Sequence, residues 1–156
     1  MSRKQKYTKR KKNLDKVYQN ELIAKFINKV MKDGKKTIAE KIVYTSLDNL
    51  AKETNKPVLE CFNEVINNVC PKMEVKSRRV GGSTYQVPVE VEKRRAQSLA
   101  IRWVIGFARD KSGSAFIDRL SKELLDGFNG TGSAIKKKDD THKMAEANKA
   151  FAHFRW

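Results

Sequence analysis

The sequence predicts a mainly α fold: a helical bundle of about six helices with a protruding two-stranded β-hairpin arm. Most of the chain sets apolar residues at helical spacing, and the stretch 72–91 abandons that spacing for alternation around Gly81-Gly82. A third observation bounds what such a fold is for. The 156 residues carry a formal net charge of +16, from 34 Lys and Arg against 18 Asp and Glu. A chain of this length buries roughly 70% of its unfolded surface, enough for one core. One domain over residues 1–156 is therefore expected, with a basic N-terminal arm at 1–15, helical core at 20–71 and 92–130, the hairpin arm at 72–91, and a C-terminal helix and tail at 133–156.

Residues 1–13 contain seven basic residues and no acidic one, so like-charge repulsion favours an extended arm until something neutralises it. From Asn20 the period becomes helical. Leu22, Ile23, Phe26, Ile27, Val30 and Met31 form one apolar face, Asn20 can cap its start, and Gly34 stops it. A second helix is expected from Thr37 to Glu53, with Ile38, Ile42, Val43, Leu47, Leu50 and Ala51 inward. Pro57 opens a third at its tolerated first position. Its stripe is Leu59, Phe62, Val65, Ile66 and Val69, and Pro71 forbids continuation.

In the hairpin, Tyr85, Val87, Val89 and Val91 share one face of the second run; Met73, Val75 and Ser77 share one face of the first. A two-residue Gly-Gly loop would pair Lys76 with Val87 and Glu74 with Val89, setting charge beside apolar. An odd loop would pair Arg79 with Tyr85, Ser77 with Val87 and Val75 with Val89. The odd loop aligns the apolar faces and is the expected register. Pro88 inside a strand implies an edge, which a two-stranded arm supplies. A fourth helix runs from Glu92 to Arg109 with Ala96, Leu99, Ala100, Trp103, Val104 and Phe107 inward. A fifth carries Phe116, Ile117, Leu120, Leu124 and Phe128. A weakly apolar helix follows from Ser133.

The charge is segregated. Residues 1–36 carry net +10, residues 72–95 net +4 and residues 136–156 net +3, with the helices between them near neutral. A solvated surface does not need that segregation; a polyanion footprint does. No catalytic constellation stands out, and "GTGSAIKKK" lacks the strand and the GK[ST] ending of a phosphate loop, so an enzyme is not expected, and no cofactor. No metal site is expected either. Cys61, Cys70, His142 and His153 have no zinc spacing, and Asp139-Asp140 beside three lysines reads as local charge balance. Cys61 reads as a small core residue, and both cysteines as reduced thiols. His142 reads as lying on a polar helix without partners. No apolar run approaches the length of a membrane span. The N-terminus lacks the apolar core of a secretory signal. A protein acting in the cytoplasm, where it is made, is expected, with no membrane partner.

The candidate nucleic-acid contacts read from the residues are Arg3, Lys4, Lys6, Lys9, Arg10, Lys11 and Lys12 of the arm, Arg78 and Arg79 of the hairpin tip, and Arg94 and Arg95. Arginine supplies planar, bidentate phosphate contacts and stacks on bases. Cations opening a helix, as in Lys93-Arg94-Arg95, are electrostatically awkward there unless an external anion answers them. Phe151, Phe154 and Trp156 either stack on bases or pin the last helix down. The competing reading is an architectural DNA-binding protein with a basic β-arm, although such arms usually carry an apolar wedge and this tip has only Val80.

Four segments in order carry a family resemblance over essentially the whole chain: "FINKVMKDGKKTIAEKIVYTSL" (26–47), "PKMEVKSRRVGGSTYQVPVEV" (71–91), "RRAQSLAIRW" (94–103) and "THKMAEANKAFAHFRW" (141–156). Together they resemble the universal small-subunit ribosomal protein number seven in its bacterial form. The resemblance implies a structural constituent of the small ribosomal subunit. It implies primary binding to a multi-helix junction in the 3′ major domain of the rRNA, and nucleation of head assembly. It further implies that the hairpin and C-terminal helix border the exit-site tRNA and the mRNA path, near protein number eleven, and that Lys35, Lys36, Lys76, Lys136, Lys137, Lys138 and Lys143 join the basic arm, Arg78, Arg79, Arg94 and Arg95 as RNA contacts. Some members of that family repress their own operon.

Overall fold

The computed structural model describes residues 13–154. Six α-helices and one hairpin follow in order: α1 Glu21–Val30, α2 Lys36–Thr54, α3 Val58–Val69, β1 Met73–Val80, β2 Ser83–Glu90, α4 Lys93–Asp110, α5 Phe116–Phe128 and α6 Gly132–Ala147. A 3-10 turn, Lys149–Phe154, closes the described chain. The fold is mainly α with a hairpin arm, as its periodicities require.

Local chemistry explains the boundaries. Asn20 caps α1, its Oδ1 accepting from the N–H groups of Leu22 at 2.7 Å and Ile23 at 3.3 Å. Asn55 ends α2 in the left-handed region at φ 53°. Pro57 sits at the cap of α3, where its missing N–H costs nothing. Ahead of α1 the chain is already tied down: the buried carboxylate of Asp15 accepts from the backbone N–H groups of Val17 and Tyr18 and from the hydroxyl of Tyr44 on α2.

The core is one apolar cluster drawn from all six helices, centred on Ile23, Phe26, Val43, Leu47, Phe62, Val65, Val104 and Leu124. Phe26 and Phe62 meet edge to face at 5.3 Å. α5 lies so close to α3 that a Cβ on Gly127 would come within 3.2 Å of Val65 Cγ1. Cys61 is buried in this core as expected, and both cysteines are free thiols. Two inward faces differ from expectation. Ile38 is 55% exposed, and Ala39 takes the buried position beside it. On α4 the most buried line is Ala100, Ile101, Val104, Ile105 and Ala108, so Leu99, Trp103 and Phe107 stand half-buried on its flank. Trp103 is a flank residue because the small Ala100 and Ala108 let α4 approach its neighbours along their own line.

The hairpin takes the two-residue turn, not the odd loop. Lys76 pairs with Val87, Glu74 with Val89 and Arg78 with Tyr85. The sequence-based register is therefore corrected, for two reasons. Gly81 and Gly82 adopt φ of 57° and 89°, the two positive values of a type I′ turn, whose twist matches the strands. And Glu74 does not lie idle beside Val89, because its carboxylate meets Arg95 of α4. Pro88 is accommodated as expected, since the sheet has two strands only.

Candidate nucleic-acid interface

Two hollows flank the end of α1, and both are lined by cations. The first, of about 280 Å³, lies between α1 and α4 and is lined by Lys25, Lys29, Arg94 and Arg102 with Gln97 and Ile101. All four cations are exposed. Helical geometry puts Lys25 and Lys29 on one face at i and i+4, and Arg94 and Arg102 about two turns apart on the facing helix. Reading local runs of charge finds only Arg94 here. Lys25, Lys29 and Arg102 stand singly in the sequence, and the helical period of α1 and α4 was the signal that could have grouped them.

The second hollow, of about 450 Å³, has an apolar floor of Ile38, Ile42 and Phe116 and a rim that includes Lys32, Lys35, Arg109 and Arg119. Two of these cations are already employed by the fold. Arg109 Nη2 donates to the carbonyl of Val30 at 2.9 Å, closing the end of α1, and Arg119 Nη1 donates to the carbonyl of Arg109 at 3.2 Å, closing the end of α4. Lys36 leaves this hollow for Glu40, 3.9 Å away. Neither α2 nor α4 has a side-chain cap or an acidic residue in its first turn. The positive dipole ends of α2 and α4 therefore add to the potential of Lys35, Lys36, Lys93 and Arg94, with Glu92 at the cap of α4 opposing it there.

The three cations of Lys93-Arg94-Arg95 go to different places. Lys93 acts on the Cys70 thiol, where burial raises the pKa and the ammonium opposes it. Arg94 enters the first hollow. Arg95 turns to the hairpin: its Nε lies 2.8 and 2.9 Å from the two carboxylate oxygens of Glu74, and its Nη2 2.8 Å from Oε2. Glu74 is buried, which by itself raises a carboxyl pKa. The Arg95 hydrogen bonds and charge, with Lys76 at 3.5 Å, overcome that and hold it below its ordinary value.

Further out, Arg78 is half-buried and Arg79 exposed near the turn. Lys136, Lys137 and Lys143 are exposed on α6, but Lys138 folds back to donate to the Asn68 carbonyl at 2.9 Å, at the end of α3. His142 does have a partner, contrary to the reading from sequence. Its Nε2 accepts the N–H of Lys72 at 2.9 Å, tying α6 to the root of the hairpin. Nothing in a helical wheel of α6 points to a backbone group 70 residues earlier. Tyr85 on β2 stacks with Phe151 and Phe154 at 5.3 and 5.1 Å, so these aromatics pin the C-terminal turn to the hairpin. Arg3, Lys4, Lys6, Lys9, Arg10, Lys11, Lys12 and Trp156 lie outside the described residues. Among the described residues no cluster of metal-ligating side chains occurs, and no helix is long and apolar enough to cross a membrane.

The model of the ribosomal protein S7p/S5e family matches residues 2–149. The chain belongs to that family. The S7p/S5e relatives include proteins called small ribosomal subunit protein uS7 from Natranaerobius thermophilus, 55% identical over 156 residues, and from Thermomicrobium roseum, 56% identical over 156 residues. Each alignment covers 100% of both chains. The protein of that name from Oleidesulfovibrio alaskensis is 56% identical, again over 100% of both. Membership of the S7p/S5e family makes this a structural ribosomal protein rather than an enzyme.

Proposed function

We propose that the chain is a structural constituent of the small ribosomal subunit that binds its rRNA in the 3′ major domain and nucleates assembly of the head. The observation that carries this reading is the convergence of Lys25, Lys29, Arg94 and Arg102 on one cleft between two helices. Four exposed cations lining one cleft, of which Lys25 also pairs with Glu21 at 2.7 Å, match a phosphate backbone. Lys35, Lys36, Arg78, Arg79, Lys136, Lys137 and Lys143, with the basic residues of 3–12, extend that footprint. Lys76 and Lys138 join it only with whatever capacity their internal partners leave, and Arg95 is taken up by Glu74. The hairpin tip and C-terminal segment border exit-site tRNA and the mRNA path, beside protein number eleven. The stacking of Tyr85 on Phe151 and Phe154 supports treating those two segments as one unit.

The test pairs two measurements on the full-length protein. It should co-sediment with small subunits at moderate salt and bind an isolated 3′ major-domain rRNA more tightly than a 5′-domain rRNA of equal length. Equal affinity for the two RNAs would leave only non-specific charge attraction and sink the assignment.

A further inference from the structure

Arg95 differs from the other cations of the surface in what its guanidinium faces. Three of its contacts go to one buried carboxylate, at 2.8, 2.9 and 2.8 Å. That fork-shaped geometry suits arginine and not lysine. Glu74 is the second residue of β1, at the root of the arm, and Arg95 is the third of α4. The pair therefore joins the arm to the bundle across the short link 91–92. A one-residue slip of β1 would move Glu74 to the other face and break the pair.

A two-stranded ribbon is marginal alone and takes its orientation from what holds its root. From Glu74 to the turn the lever is about 20 Å, so a pivot of about 10° at the root moves the tip by about 3–4 Å. That is a large part of a phosphate-to-phosphate step. The other holds, His142 on Lys72 and the aromatic contact of Tyr85, reach the arm from α6 and the C-terminal turn. Arg95 is the hold from α4, the helix that also carries Arg94 and Arg102 of the cleft.

We propose that Arg95 is a positioning residue: through Glu74 it sets the angle of the hairpin against α4, so that Arg78 and Arg79 and the cleft cations meet one nucleic acid in a fixed relation. It acts through the carboxylate rather than as a phosphate ligand. The proposal rests on the RNA-binding reading above, but its first test does not.

The first test is spectroscopic and uses the free, full-length protein. Spin labels are placed at Lys52→Cys on α2 and Ser83→Cys beside the turn, both exposed, in a Cys70→Ser background that leaves only the buried Cys61. The inter-label distance distribution should be narrow in the parent and broader in Arg95→Lys and Glu74→Gln. The swap Glu74→Arg with Arg95→Glu should recover part of the narrowness. Circular dichroism checks that each variant is folded; a variant that fails to fold is replaced by Arg95→Gln or Glu74→Asp at the same pair. An unchanged distribution in every folded variant overturns the proposal.

The second test titrates 3′ major-domain rRNA at several salt concentrations. A positioning role predicts that Arg95→Gln and Glu74→Gln weaken binding alike, and that the double variant is no worse than either alone. A direct phosphate contact predicts instead that Arg95→Gln flattens the log K against log salt slope by about 0.7–0.9 while Glu74→Gln does not. That second pattern refutes the proposal. If the parent shows no preference for this rRNA, the functional reading fails, while the distance measurement still decides the role of Arg95.

Discussion

Replacing Lys25, Lys29, Arg94 and Arg102 together with glutamine tests the cleft directly. All four side chains are exposed on helices, and glutamine keeps both helix propensity and much of the stem. Each phosphate neutralised contributes about 0.7 to the salt slope on single strands and about 0.9 on duplex. Four such contacts make the slope shallower by about 3. Between 50 and 200 mM salt the parent should then lose roughly 60-fold more affinity than the variant. Folding should hardly change. The only described ion pair lost is Lys25 with Glu21, at 2.7 Å and i,i+4, worth about 0.3–0.5 kcal/mol. Lower self-repulsion on a chain of net charge +16 works against that loss. Filter binding or fluorescence anisotropy across four salt concentrations gives the slope, and urea unfolding gives the control. A change in slope below about 1, in a variant as stable as the parent, would mean that the cleft does not hold RNA phosphates.

Removing residues 1–12, which carry seven cations and no acid, should weaken rRNA binding and leave the thermal midpoint nearly unchanged; differential scanning calorimetry beside a binding titration checks both. Phe62→Ala should cost about 3–5 kcal/mol in urea unfolding, because the ring is fully buried against Phe26. Trp103→Ala, on the half-buried flank of α4, should cost measurably less, and equal costs would contradict that placement. Glu74 has a lowered pKa in the fold, so its contribution to stability is present above its ordinary value of 4.5 and is lost as pH falls through and below it. Stability against pH should therefore fall less steeply in Glu74→Gln than in the parent on acidification below about pH 5; parallel curves would exclude the linkage.

The helices were legible because each rests on a local signal of apolar period, cap and stop. Asn20, Pro57 and Pro71 act within a turn of themselves, and the boundaries they imply lie within one or two residues of those found, whereas α1 ends at Val30, three residues short of the last turn expected before Gly34. What failed required knowing a distant partner. The register of the hairpin turns on Arg95, about twenty residues beyond Glu74, and matching apolar faces alone favoured the wrong loop. The face of α4 turns on which neighbours crowd it, so a broad apolar arc could be placed only to within a third of a turn. Ile38 was read as core because its period allows it, yet it falls in the first turn of α2, at the floor of an open hollow. The charge runs announced a polyanion surface. Which cations are occupied internally could not be read from them, since Lys138 and Arg95 differ from their neighbours only in what lies across from them.

The internal uses of arginine have a consequence for how this sequence can drift. The chain has 24 Lys and 10 Arg, and at an exposed phosphate-facing position one can replace the other with little change in field. At the helix ends that freedom disappears. Arg109 spans from α4 to the last carbonyl of α1, and Arg119 from α5 to the last residues of α4, each delivering a planar donor to a carbonyl oxygen. A lysine there would preserve the net charge of +16 and lose the splinted geometry. Mutational bias toward lysine codons can therefore rewrite the periphery of this protein while stopping at a few guanidinium groups, and two chains of identical charge could differ sharply in whether their helices stay joined.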